Sequence, residues 1–107
     1  MGKMSREKGK RGEREVAKIL REFGYDSKRG VQYHGGPDSP DVVGLPSCHI
    51  EVKYVERLDL QRAYDQSRSD AGPGEVPIVV HRKNRGDWMV TLAFRDFLEM
   101  KTDKQSE

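Results

Sequence analysis

The stretch Pro40-Asp41-Val42-Val43-Gly44, followed by Ile50-Glu51-Val52-Lys53, decides the fold predicted for this chain. The turn residues between the two runs favour a β-hairpin. Residues two apart in a strand point to the same face, so Glu51 and Lys53 share one face while their apolar neighbours enter a core. The hairpin brings Asp41 alongside Glu51, and two carboxylates beside an ammonium group are costly to assemble. A divalent cation such as Mg²⁺, which takes oxygen ligands, would remove the repulsion.

Length and composition predict one small domain over residues 1–107, with flexible ends at 1–4 and 101–107. Hydrophobic residues make up 34% and charged residues 36% of the chain, so the core is thin and dimerisation would add buried surface. The single cysteine, Cys48, excludes an internal disulfide framework and a cysteine-rich zinc site. No signal peptide or membrane-length apolar run is recognisable, which predicts a cytoplasmic protein without membrane contact.

The first fourteen residues carry six basic side chains against two acidic ones. Basic N-terminal arms contact nucleic acid in many proteins, although a solvated, partly disordered start has the same composition. In the first interpretation these side chains grip phosphates and add affinity without reading sequence. The residues assigned to this role are Lys8, Lys10, Arg11 and Arg14.

One amphipathic helix is predicted between Ser5, a candidate N-cap, and Gly24, a candidate C-terminal stop. Glu13 lies on the apolar stripe of this helix, where a carboxylate is rarely found unless a partner or a function holds it there. Glu13 either belongs to a site or lies just outside the core and bonds Arg14 or Lys10. The stripe consists of Val16, Ala17, Ile19, Leu20 and Phe23.

The order of predicted elements is helix, three strands, helix, two strands, helix. This order predicts an α/β fold, a mixed β-sheet flanked by helices. The last helix is expected to pack through Phe94, Phe97 and Leu98. Besides the first helix and the hairpin, the predicted segments are a strand within 25–33, a helix over 60–70, strands over 76–81 and 88–92, and a helix over 94–100.

The combination of Glu13, Asp41, Glu51 and Lys53 has the logic of phosphodiester hydrolysis. The carboxylates would hold one or two Mg²⁺ ions, with Mn²⁺ as a substitute, and the Val52 carbonyl would be a further ligand. The metal lowers the pKa of a bound water and stabilises charge on phosphate oxygens. Lys53 would orient or help deprotonate that water, or neutralise developing negative charge.

These motifs resemble a known superfamily. Asp41 followed by Glu51-Val52-Lys53 is similar to the signature of the PD-(D/E)XK nucleases. Within it, Lys8-Gly9-x-x-x-Glu13-Arg14-Glu15, then Arg29, then the hairpin motifs, resembles archaeal-type Holliday-junction resolvases and their phage and bacterial relatives, over residues 8–66. The resemblance implies a restriction-endonuclease-like fold, a prokaryotic or phage origin, a four-way DNA junction as substrate, and a homodimer with two active sites.

Carried across residue by residue, the resemblance implies that Glu13, Asp41, Glu51 and Lys53 are active-site residues. It further implies that Arg29 contacts a phosphate and that Gln66 corresponds to a glutamine of related nucleases. Two regions depart from the pattern. The loop over 31–39 is longer and richer in glycine, and the chain after Gly72, including Trp88, is only loosely similar.

Three alternatives stay open at this point. His34, in the glycine-rich loop, is either a metal ligand or general base, or a contact to DNA or solvent. His49 shares a strand face with Glu51 and is a candidate neighbour of the site. The chain is either a junction resolvase, a restriction- or repair-like nuclease with another DNA shape preference, or a DNA-binding module that does not cut. The intact acidic set favours cleavage, because clustered carboxylates would repel the phosphates of a ligand that is only bound.

Overall fold

The computed structural model describes residues 2–30 and 40–105, with side chains described within 6–30 and 40–102. The elements follow the predicted order and confirm the α/β class. They are α1 (Gly2–Glu22), β1 (Lys28–Arg29), β2 (Val42–Val43), β3 (Cys48–Tyr54), α2 (Leu60–Asp70), β4 (Val76–Arg82), β5 (Met89–Thr91) and α3 (Phe94–Gln105).

The five strands form one mixed sheet in the order β1-β2-β3-β4-β5. Strands β3 and β4 are parallel, and the other neighbouring pairs are antiparallel. The parallel pair requires a crossover, which α2 supplies, whereas β2 and β3 need only the short turn predicted from the sequence. Strand β3 lies at the centre of the sheet, and β3 and β4 are its two longest strands, with seven residues each.

The two faces of β3 have different roles. Ile50 and Val52 point into a core cluster with Val16 and Ala17 of α1. Because neighbouring residues in a strand point to opposite faces, His49 and Glu51 face the other side, which α2 covers. The Ser67 hydroxyl on α2 lies 3.1 Å from the carbonyl oxygens of both His49 and Ile78, shares its single proton between them, and holds the helix against the sheet.

Several predicted boundaries were wrong by a few residues. Helix α1 begins at Gly2 rather than after Ser5, and α3 continues to Gln105 rather than ending at Met100. Strand β1 is confined to two residues within the described part of the predicted 25–33 segment. Residues 31–39, including His34, lie outside the described ranges. In the ranges that are described, no helix is both long and apolar enough to cross a membrane.

The predicted packing of the last helix against this chain was wrong. Phe94 is 73% exposed, and Phe97 and Leu98 are each 44% exposed. Met89 and Val90 of β5 are also exposed. The sequence pattern identified the apolar face of this helix correctly, but that face is exposed to solvent in the single chain.

Candidate active site

Asp41 and Glu51 meet where the β2–β3 pair ends. The Asp41 amide donates to the Ile50 carbonyl at 2.9 Å, although Ile50 is already the partner of Val42 in β2, so Asp41 is an additional residue at the end of this strand pair. Its carboxylate lies next to Glu51, with a side-chain hydrogen bond between the two groups. The Val52 amide donates to Oδ2 of Asp41 at 2.8 Å and fixes the orientation of that carboxylate.

Electrostatics couple these two carboxyl groups. Glu51 is only 7% exposed. Burial raises the pKa of Glu51 to about 8, the charge of Asp41 adds to the rise, and Lys53 opposes it. The protonated Glu51 carboxyl donates a side-chain hydrogen bond to Asp41. Burial and the neighbouring charge therefore favour the protonated form of Glu51 when no metal is bound.

The donor set fits a hard divalent cation. Two carboxylates that trap a proton between them would release it to a cation of higher charge. The amide and carbonyl of one strand residue point to the same edge in a paired ladder. Because the Val52 amide points toward Asp41, the Val52 carbonyl lies on that edge as well. Asp41, Glu51 and this carbonyl are the oxygen donors that the sequence predicted.

Glu13 reaches the same region from α1. Its carboxylate accepts a hydrogen bond from Nε of Arg29 at 2.9 Å, rather than from Arg14 or Lys10. Burial raises the pKa of Glu13, and the Asp41 charge adds to the rise while the Arg29 hydrogen bond opposes it. The Asp41 charge therefore acts on the Glu13 carboxylate, but the salt bridge holds that carboxylate beside Arg29 of β1. A metal or a substrate phosphate would have to compete with Arg29 for it.

A basic groove of about 310 Å³ runs past Glu13. Arg29 and Lys10 lie on its walls with Arg6, and the Gly9 backbone leaves room at its side. A second groove of about 420 Å³ lies along the α2 side of Lys53 and includes Arg62 and Gln66. Each groove therefore places cationic side chains beside one residue predicted for the active site, Glu13 in the first and Lys53 in the second.

Two residues of the predicted basic arm have other contacts. The Lys8 ammonium lies 4.7 Å from the centre of the Tyr54 ring, and the Arg11 guanidinium lies 5.6 Å from it. Arg82 of β4 lies 4.8 Å from the same ring. These cation–π contacts join α1 to the sheet. Arg14 is exposed, and phosphate binding by the arm stays a prediction.

Glu15 has a structural role that sequence reasoning missed. Its Oε1 accepts hydrogen bonds from Arg82 at 3.1 Å and from the Trp88 indole at 3.0 Å. The Trp88 ring in turn packs edge-on against Tyr54, with centroids 5.8 Å apart. Trp88 is therefore an anchor within the fold. The helical pattern carried no signal for Glu15, because its partners lie in the other half of the chain.

Three side chains converge on the buried side of Glu51. Among the side chains described within 6–30 and 40–102, one set of three acidic or imidazole groups has ligand atoms that all lie within 4.8 Å of one another: His49, Glu51 and Asp70. His49 was predicted as a site neighbour from strand alternation. Asp70 was missed, although its place in the last turn of the β3–β4 crossover helix could have indicated it. The Gln66 amide donates to Asp70 at 2.6 Å.

Comparison with known proteins agrees with this geometry. A family model described as "Phage putative PDDEXK endonuclease" matches residues 4–107. Among solved structures, the chain is similar to the Holliday junction resolvase Hjc of Archaeoglobus fulgidus, an archaeal hyperthermophile. The TM-score is 0.60 at 28% identity, covering 79% of this chain and 72% of that chain. A search of curated proteins found no match. These matches confirm the resemblance predicted from the motifs.

Proposed function

This chain belongs to the phage PDDEXK endonuclease family, and from that premise we propose that it is a metal-dependent DNA endonuclease that resolves four-way junctions. The observation that carries the proposal is the contact between the carboxyl groups of Asp41 and Glu51 beside β2, with Lys53 two residues further along the same face. The family supports DNA cleavage in general. The similarity to a Holliday junction resolvase supports the choice of junction.

The proposed metal ligands are Asp41, Glu51 and the Val52 carbonyl, with Glu13 as a further carboxylate. Bound Mg²⁺, with Mn²⁺ as a substitute, would lower the pKa of a water molecule and stabilise charge on the scissile phosphate. Oxygen donors support this class of ion. The Asp41 orientation is already set by the Val52 amide, so little side-chain rearrangement is needed before binding.

Lys53 is proposed to act on the water and the phosphate. It faces the same side as Glu51, and its charge already acts on that carboxyl group. From there its ammonium would orient the attacking water or neutralise the developing charge. Gln66 shares a groove with Lys53 and is held by Asp70, which suits a positioning role beside the substrate.

DNA is proposed to lie across both basic grooves. Lys10 and Arg29 would contact phosphates on the α1 side, with Lys8, Arg11 and Arg14 adding charge along the helix. Such contacts give affinity that depends on salt and not on base sequence. Arg29 also bonds Glu13, so it would couple phosphate binding to the acidic site.

A homodimer is proposed because symmetric cleavage of a junction needs two active sites. The exposed apolar side chains of β5 and α3 support it. We refer to these side chains together as the β5–α3 surface: Met89, Val90, Phe94, Phe97 and Leu98. Large apolar side chains that a small chain leaves exposed are available to an interface. A second copy that covers this surface would also enlarge the thin core.

The proposal is tested with a labelled four-way junction, the matching duplex and the matching single strand, each incubated with Mg²⁺ or with EDTA. Paired, symmetric nicks on the junction alone, abolished by EDTA, are expected. Equal cutting of all three substrates would reject junction selectivity and leave a general nuclease. Binding without cleavage in any metal would reject the enzymatic proposal.

A further inference from the structure

The His49 imidazole is buried without the partner that a polar ring needs. His49 is 1% exposed, and its Nε2 atom has no hydrogen-bond partner. The nearest acidic atom is Oε2 of Glu51, at 3.5 Å. A buried ring nitrogen is normally bonded to a protein group, a water or an ion. The orientation of Nε2 toward a carboxylate is the arrangement found when a cation lies between the two groups.

Asp70 completes the surroundings of that nitrogen. Ligand atoms of His49, Glu51 and Asp70 lie within 4.8 Å of one another. Asp70 is held in place by the Gln66 amide. The α2 helix that carries it is fixed to the sheet by Ser67, whose hydroxyl donates to the His49 carbonyl. The three groups are therefore positioned by the sheet and its crossover helix, and not by a loose surface loop.

The opposite ring nitrogen of His49 also faces an acidic group. Nδ1 lies 3.7 Å from Oε1 of Glu75. That same Oε1 accepts a hydrogen bond from the Gly72 amide at 2.7 Å, which fixes the carboxylate beside the ring. At 3.7 Å this is an electrostatic contact and not a hydrogen bond, but it would stabilise a proton on Nδ1 once Nε2 serves as a metal ligand.

We propose that His49, Glu51 and Asp70 form a second metal site, selective for a divalent transition-metal ion such as Zn²⁺ or Mn²⁺ over Mg²⁺. One imidazole and two carboxylates suit these ions, whereas Mg²⁺ takes oxygen ligands and rarely accepts an imidazole. The site shares Glu51 with the proposed catalytic centre but not Asp41. Its existence does not depend on whether the chain cleaves DNA.

The test is isothermal titration calorimetry of the metal-stripped full chain with ZnCl₂, MnCl₂ and MgCl₂. The variant is Asp70→Asn, and the matched control is Asp65→Asn. Both aspartates lie on α2, and each accepts a hydrogen bond from the glutamine four residues earlier. Asp70→Asn is expected to weaken Zn²⁺ binding by at least about tenfold. Asp65→Asn is expected to leave it unchanged.

A second measurement identifies the histidine directly. The chain has three histidines, so ¹⁵N spectra of the imidazole nitrogens are simple. Addition of Zn²⁺ should shift the Nε2 signal that is absent in His49→Asn. Transition-metal binding lost in Asp41→Asn but retained in Asp70→Asn would place the ion at the catalytic pair and overturn the inference. Equal affinities of wild type and Asp70→Asn for all three ions would overturn it too.

The two proposals fail separately. A chain that binds Zn²⁺ through His49 and Asp70 but cuts no DNA would reject the nuclease proposal and keep the second site. A chain that resolves junctions with Mg²⁺ while its His49 signal does not shift on addition of Zn²⁺ would support the nuclease proposal and reject the second metal site.

Discussion

The Val52 amide donates a 2.8 Å hydrogen bond to the carboxylate of Asp41, so the backbone of β3 orients the acidic residue that precedes β2. This bond makes the Asp41 orientation a property of the fold and independent of any ion. It also means that an amide side chain at position 41 can keep the bond while losing the charge. Structure and charge can therefore be separated by one substitution.

Asp41→Asn is accordingly expected to fold normally and to lose cleavage. The carbonyl oxygen of the introduced amide can accept from Val52, but the charge that would hold Mg²⁺ is gone. We expect the single-turnover cleavage rate to fall about a hundredfold or more, a magnitude typical of removing one electrostatic stabiliser. Junction affinity, measured by gel shift in Ca²⁺, should be retained. Asp65→Asn is the control, and loss of folding in Asp41→Asn would show that the carboxylate is structural.

Glu51→Gln is expected to stabilise the metal-free chain at neutral pH. The pKa of Glu51 is about 8 in the folded chain and 4.5 ordinarily, so the unfolded chain releases its proton first as pH rises. Folded-state stability therefore falls between pH 4.5 and about 8, and the glutamine variant avoids this fall. In guanidinium unfolding with EDTA, the variant should exceed wild type by roughly 1–3 kcal/mol at pH 7 and match it near pH 4.5. A deficit at both pH values would contradict the assigned protonation.

The hairpin half of the candidate site was predictable from local sequence because its geometry follows from strand alternation and turn chemistry. Gly44 illustrates the turn chemistry. Its φ is +110°, and a Cβ atom there would lie 2.5 Å from the Asp26 carbonyl oxygen, so the turn requires glycine at this position. Given that turn, alternation alone places Glu51 and Lys53 on one face and Val52 on the other.

The remaining half of the site depends on contacts between distant segments, which local patterns do not encode. One of the two alternatives for Glu13 paired it with Lys10 or Arg14, but it bonds Arg29, because α1 crosses the sheet at β1. Asp70 reaches Glu51 only through the parallel β3–β4 crossover. Glu15 meets Trp88 at a separation of 73 residues. Predicting any of these contacts requires knowledge of the strand order, and the hydrophobic periodicity of the sequence does not reveal that order.

Two glycines on α1 are expected to respond oppositely to alanine. A Cβ atom at Gly9 would meet nothing within 4 Å, so Gly9→Ala should gain about 0.5–1 kcal/mol from helix propensity. At Gly12 the added atom would lie 3.1 Å from Cβ of Tyr54 and 3.4 Å from the Trp88 ring. Overpacking there should outweigh the gain and cost about 1 kcal/mol net. Equal stabilisation in chemical denaturation would show that α1 does not pack on Tyr54 as described.

Phe94→Asp is expected to convert the proposed dimer into a monomer. Phe94 is the most exposed residue of the β5–α3 surface, at 73%, and a carboxylate there could not be buried by a second copy. The dimer dissociation constant, from sedimentation equilibrium, should rise by about thirtyfold or more. Glu99→Ala, on the same helix and about 140° around it from Phe94, is the control. A wild-type chain that stays monomeric at all concentrations would reject the dimer.

Lys10→Ala is expected to weaken junction binding and flatten its dependence on salt. Lys10 lines the basic groove beside Glu13 and Arg29, where a phosphate would lie. Losing one phosphate contact should reduce the slope of log affinity against log salt by about 0.9. Lys18→Ala, an exposed lysine two turns further along α1, is the matched control and should leave the slope unchanged. If both variants lower affinity equally, the charge of α1 attracts DNA only in a general way, and Lys10 does not contact a phosphate in this groove.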